Sequence, residues 1–318
     1  MNLIENFEFI QAEAPWFFAL VAFGLGAIVG SFLNVCIYRI PAGLSVVTPG
    51  SRCGSCGTPI KWYHNIPILS WVLLRGRAAC CHAKFSIRYP AIELLTGLFF
   101  LWSWLAHPPL IAGIGMLFAS ILIATTFIDL DHMIIPLRFS IGGMFLGVLL
   151  SIACPSLHGV EETGIVGMLK GGVFSVIGVL VGSAIIYWIR LLAEIALGKE
   201  AMGEGDVMFM GCIGAFCGWQ GAVFGIFGGA TIGTILLIPF MIAARFRGSV
   251  EQNAEEEVPS GAREEDVGPN DPEAMPEAGV GLSLAVPFGP MLALGGWLHF
   301  VWLGPFFSAY LAPFVEMF

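Results

Sequence analysis

Residues Pro109 to Asp131 read PLIAGIGMLFASILIATTFIDLD. Its first 20 residues, Pro109 to Ile128, carry no charge. At about 1.5 Å per residue, such a helix is about 30 Å long, the depth of a bilayer's hydrocarbon core. The run then closes on two acids, Asp129 and Asp131. An ionisable group at or inside a span is costly, so it is a functional candidate by default.

The rest of the chain has the same character. Of 318 residues, 57% are hydrophobic and 12% charged, against roughly 25% charged in a soluble domain. Mean hydropathy is +0.85. This excludes a soluble enzyme and predicts an all-α polytopic membrane protein of about eight transmembrane helices. The expected spans are 16–37, 90–106, 109–128, 134–153, 171–193, 207–220, 222–244 and 283–304. The sixth is short for a bilayer, at about 22 Å.

Charge is patterned along the chain. Residues 249–279 hold ten acids and one base, a balance of −9 that equals the net charge of the whole chain. That stretch is also rich in Pro, Gly and Ala, so 248–281 reads as a disordered loop. Between Tyr38 and Pro90 there are seven of the 14 Lys and Arg and no acid. Bases beside a span mark a cytoplasmic loop. The orientation that follows puts tail 1–15 outside, span 16–37 running inward, loop domain 38–90 inside, core 91–247 next, and the last span and external tail in 282–318. Topology accounts for these bases, and nothing calls for nucleic acid as a partner; the lipid bilayer is the partner the composition implies.

In that topology Asp129, closing the third span, and Asp206, opening the sixth in Gly203-Glu204-Gly205-Asp206, reach the same cytoplasmic face. Two carboxylates sharing a site can hold one proton between them. One then serves as base toward a water and the other as acid toward a carbonyl. The blander alternatives are a helix N-cap for Asp206 and a solvated rim residue for Asp129.

Eight cysteines occur. Cys36, Cys154, Cys212 and Cys217 lie in or beside spans and read as small apolar residues. Cys53-Gly54-Ser55-Cys56 is a CxxC in the cytoplasmic loop. The cytosol is reducing, so zinc is favoured over a disulfide. A metal would also stabilise a loop too small to rely on its own core.

Several segments resemble one family in order along the chain. Gly203-Glu204-Gly205-Asp206 looks like the GxGD signature of intramembrane aspartyl proteases. Ile128-Asp129-Leu130-Asp131-His132 resembles the first aspartate motif of type IV prepilin peptidases. Gly30 to Pro41 (GSFLNVCIYRIP), Asn65 to Trp71 (NIPILSW), Arg88-Tyr89-Pro90 with Glu93, Gly198-Lys199-Glu200 and Pro287-Phe288-Gly289-Pro290 are similar to further segments of that family. The resemblance implies catalytic roles for Asp129 and Asp206, with Asp131 the less favoured first aspartate. It implies cleavage of prepilin or pseudopilin leaders at the cytoplasmic face of a bacterial inner membrane. It also implies N-methylation of the new amino terminus with S-adenosylmethionine, with Gly76 matching a loop glycine of the methyltransferase-associated region 38–90.

The family carries a second CxxC about 25 residues after the first. Here Ala78 stands at its first cysteine and Cys81 fits its second. A tetrahedral zinc site would then use Cys53, Cys56, Cys81 and a fourth ligand, Cys80 or His82. Two further departures are Leu137 where the family usually has Asp after Pro136, and the length of the acidic insert. A transporter with a rim carboxylate pair, or a non-catalytic secretion-assembly scaffold, is the alternative of a different class. A transporter would call for further polar residues at mid-membrane along a pathway; few are seen (Thr125, Thr126, Ser175, Ser183, Thr231 and Thr234), and none is charged.

Overall fold

The computed structural model describes residue 9 and residues 11–198, 202–255 and 287–304. Among these the chain is helical, with no strand and only two isolated bridges, Arg52 with Pro59 and Arg77 with Lys84. The helices are α1 (Pro15–Arg39), the short α2 (Leu69–Leu73), α3 (Arg88–Ala106), α4 (Pro109–His132), α5 (Leu137–Ala153), α6 (Gly164–Leu197), α7 (Glu204–Glu255) and α8 (Gly289–Leu298), which runs on as a π turn at His299–Leu303. Two compact units result, residues 1–230 with 287–318, and residues 231–286. The candidate site and the cavities described below lie in the first.

Among the described residues, five helices are long and apolar enough to cross a membrane: α1, α3, α4, α6 and the Glu204–Ile235 part of α7. α5 and the Gly289–Leu303 segment are apolar but shorter. The expected sixth and seventh spans form one element broken at Gly218, whose φ of 67° and ψ of −176° no helix contains. Only glycine adopts that backbone without strain. α7 continues to Glu255, so the first residues of the stretch expected to be disordered are helical. The rest of it, most of the N-terminal tail, the C-terminal tail 305–318, and Lys199 with Glu200 lie outside the described residues.

Small residues let these helices approach. In a membrane the hydrophobic effect does not drive helices together, so close backbone packing takes over. A methyl group built on Gly178 of α6 would lie 2.1 Å from the Gly214 carbonyl oxygen of α7, and one on Gly214 would meet the Gly178 carbonyl at 2.1 Å. α1 and α3 cross similarly, with a methyl group on Gly26 reaching the Thr96 carbonyl at 2.7 Å. α4 is the central helix. Its Phe118 is fully buried and stacks on Phe216 of α7 at 4.7 Å. Trp297 of α8 stacks on Phe99 of α3, also at 4.7 Å. These contacts hold the end of α4 beside the start of α7.

Candidate functional site

α4 stops because Met133 turns left-handed (φ 52°, ψ 37°) and donates its N–H to the Asp129 carbonyl at 2.8 Å. Asp129 thus sits in the last turn, with 5% of its surface exposed. α7 begins at Glu204, which puts Asp206 in its first turn. There the Asp206 carboxylate accepts the backbone N–H of Gly203, as the third residue of a capping box does. Asp206 is 9% exposed.

The two acids meet. The charge of Asp129 acts directly on Asp206, and no basic side chain pairs with either among the described residues. Ile135 is the wedge that sets this junction. A methyl group on Gly205 would lie 2.7 Å from Ile135 Cβ, and one on Gly289 would lie 3.3 Å from Ile135 Cδ1. The glycines of both motifs therefore admit the same buried isoleucine. Gly289 also donates its backbone N–H to Asp129 Oδ2 at 3.0 Å. The sequence offered Pro287-Phe288-Gly289-Pro290 as a family-like segment but assigned it no role. Sequence reasoning missed this contact because 160 positions separate its ends.

Asp131 is occupied elsewhere. Arg88 grips it with both guanidinium nitrogens, Nη1 to Oδ1 and Nη2 to Oδ2, each at 2.6 Å. A carboxylate held in a bidentate fork is not free to activate water.

Cys53, Cys56, Cys80 and Cys81 come together, all four Sγ atoms within 4.8 Å of one another. Cys53 and Cys81 are 3.7 Å apart, Cys56 and Cys80 3.3 Å, and Cys80 and Cys81 3.9 Å. Four sulfurs about 2.3 Å from one zinc would be about 3.8 Å apart. The donor set fits the ion. Of the two options for a fourth ligand, the cluster contains Cys80 rather than His82, although Cys80 and Cys81 are adjacent. The Thr58 hydroxyl and backbone favour the Cys56 thiolate and pull that thiol down to about 6; contact with Cys56 pushes Cys80 up to about 12. Four thiolates this close cannot all ionise without a cation among them.

Two cavities lie between the loop domain and the membrane helices. The smaller, about 280 Å³, is walled by Trp71, Phe85, Tyr89 and Pro90. The larger, about 1000 Å³, runs along α1 past Ile28, Phe32 and Val35. Glu93 of α3 lines both. Gly76 stands behind the smaller one, with φ of 67°; a methyl group there would lie 3.0 Å from Trp71 Cζ2. Trp71 is fixed in turn by its Nε1–H, which donates to the Phe85 carbonyl at 3.1 Å.

Residues 25–107 match the family model described as the bacterial peptidase A24 N-terminal domain, and residues 116–238 match that of the type IV leader peptidase family. A prepilin leader peptidase/N-methyltransferase of Myxococcus xanthus is 32% identical over 337 residues, covering 94% of either chain. One from Stutzerimonas stutzeri is 29% identical, covering 96% of this chain and 97% of its own. A type 4 prepilin-like proteins leader peptide-processing enzyme of Escherichia coli is 36% identical over 212 residues, 61% of this chain and 74% of its own. No solved structure matches. With both family models in order along the chain and a relative 32% identical across nearly all of it, this protein belongs to the type IV leader peptidase family.

Proposed function

We propose that Asp129 and Asp206 are the catalytic dyad of a prepilin leader peptidase that also N-methylates the amino terminus it releases. The bifunctional activity is the one carried by relatives matched over nearly the full chain. What supports the dyad is one observation: two buried carboxylates, 77 positions apart, have each other as their charged neighbour. At a shared site one carboxylate is ionised and the other protonated. The ionised one takes a proton from water as the water oxygen bonds to the scissile carbonyl carbon. The protonated one gives its proton to that carbonyl oxygen. The C–N bond then breaks, and a proton from the dyad leaves with the new amine.

In this reading α5, the two parts of α7 and the Gly289–Leu303 segment complete eight spans. The basic loop 38–90 faces the cytoplasm, both termini face outward, and the dyad works at the cytoplasmic rim. There a prepilin can keep its apolar helix in the membrane while its leader bond reaches both acids. Cys53, Cys56, Cys80 and Cys81 hold a structural zinc that fastens the loop. The methyl donor is S-adenosylmethionine, whose sulfonium supplies an electrophilic methyl group. Three aromatic walls suit its adenine, and aromatic faces attract a sulfonium cation. A volume of about 280 Å³ is at the lower end of small-molecule pockets.

The test is purified protein in detergent with a prepilin and S-adenosylmethionine, read by mass spectrometry. Wild-type protein is expected to give a shortened, methylated product. Asp129→Asn and Asp206→Asn are each expected to leave full-length substrate, a loss of about 10³-fold or more. Cleavage surviving either change would remove the dyad from the mechanism.

A further inference from the structure

Glu93 is a buried acid that leader cleavage does not use. It is 8% exposed. Its Oε2 accepts the Ile68 N–H at 2.7 Å, and the Ser31 hydroxyl also bonds to it. Lys61 and Arg77 line the smaller cavity and Arg39, Arg52 and Lys84 the larger. Yet among the described residues none of these bases forms an ion pair with Glu93. Buried charges are normally paired, because leaving one unpaired away from water is costly. Glu93 therefore has room for a cation the protein does not supply.

Its partner in the loop is also unusual. Ile68 has φ of 60° and ψ of −52°, a left-handed-side backbone that a β-branched residue rarely adopts. Strain of this kind persists where the surroundings impose it and clusters at functional sites. Here it aims the Ile68 N–H at Glu93. The carboxylate is thereby held where an aromatic cavity and a cleft along a membrane helix adjoin. A methyl transfer needs that geometry, since donor and acceptor must meet from opposite sides of the moving methyl group.

We propose that the Glu93 carboxylate receives the newly released amino terminus of the substrate from the larger cleft and takes its proton before methylation. The assignment rests on the methyltransferase reading above. The substrate's apolar helix lies along Ile28, Phe32 and Val35 of α1, and its terminal ammonium reaches Glu93. One N–H proton passes to the carboxylate, leaving a neutral amine. The amine lone pair forms the new N–CH3 bond as the donor's S–CH3 bond breaks, with that electron pair remaining on sulfur. The proton on Glu93 then leaves to solvent.

Glu93→Gln keeps an oxygen for the Ile68 N–H and the Ser31 hydroxyl but cannot take a proton. Glu93→Asp keeps the acid and withdraws it from Ile68. Both variants are incubated with a prepilin and S-adenosylmethionine, and cleaved-unmethylated and cleaved-methylated products are counted separately. Binding of S-adenosylhomocysteine is measured by calorimetry on the same preparations. E93Q is expected to bind S-adenosylhomocysteine like wild type and to accumulate unmethylated product, with methylation down on the order of 10²-fold or more. E93D is expected to methylate better than E93Q. A purely structural role for the Ile68 contact predicts the reverse order and would overturn the assignment. So would loss of S-adenosylhomocysteine binding in E93Q, which would put Glu93 on the donor side. Wild-type protein that cleaves but never methylates would sink the methyltransferase reading itself, together with this assignment.

Discussion

Gly289 and Asp129 touch. The first backbone N–H of α8 donates to Oδ2 of the acid that ends α4, at 3.0 Å, so one oxygen of that carboxylate is oriented by main chain. A methyl group on Gly289 would lie 2.6 Å from the same oxygen. Gly289→Ala must therefore displace either the helix start or the carboxylate. A misplacement of about 1 Å at a reacting group can cost on the order of 10²-fold in rate. Leader cleavage by Gly289→Ala is expected to fall by about that factor while its thermal unfolding in detergent stays near wild type. Wild-type cleavage would mean that the contact does not orient the reacting carboxylate.

Arg88 separates the two acids of the first motif. It binds Asp131 through two short hydrogen bonds and leaves Asp129 free for the proposed dyad. The ion pair is partly open to solvent, at 41% and 28% side-chain exposure, so it contributes about 1 kcal/mol or less. Asp131→Asn is accordingly expected to retain leader cleavage within about tenfold of wild type, whereas Asp129→Asn loses it. Equal inactivation in a steady-state cleavage assay would reopen the choice between the two acids.

The helical, membrane-spanning character of this chain was legible because hydropathy and charge report it directly. Pro109 to Ile128 has no reading but a span, and the helix there is α4. That Asp129 and Asp206 are neighbours is what alternating spans lead one to expect, since they bring the end of one and the start of another to one face. The wedge was not. That Gly205 and Gly289 make room for Ile135 depends on three segments with no sequence signal in common. The break at Gly218 was visible only as a sixth span that looked too short. The cysteine cluster was half legible. CxxC spacing announced Cys53 and Cys56 and the family resemblance offered Cys81 with Cys80 or His82, but the choice of Cys80 needed the loop's tertiary turn. Glu93 was named only as part of a motif, because its place between two cavities is a property of packing.

Zinc content separates the two possible fourth ligands. Cys80 lies 3.3 Å from Cys56, within the four-sulfur cluster, and His82 lies outside it. Purified wild-type protein is expected to hold about one zinc per chain by elemental analysis. Cys80→Ser is expected to lower that content and to lower thermal stability, because structural zinc contributes folding free energy. His82→Ala is expected to leave both unchanged. Zinc lost from His82→Ala and kept in Cys80→Ser would reverse the ligand assignment.

Gly76 tests the loop domain in another way. Its φ of 67° suits glycine, and any other L-residue there costs about 1–2 kcal/mol. Its open side faces Trp71, which a methyl group would approach at 3.0 Å. Trp71 cannot simply turn away, because its Nε1–H is tied to the Phe85 carbonyl. Gly76→Ala must therefore move the indole into the smaller cavity or unwind the turn that carries it. Neither change touches Asp129 or Asp206, which other elements hold. The expected outcome is cleavage at the wild-type rate with weakened S-adenosylhomocysteine binding and a large excess of unmethylated product. Calorimetry and product mass spectrometry on one preparation check both halves. If Gly76→Ala bound S-adenosylhomocysteine normally, the aromatic cavity would not be where the methyl donor sits.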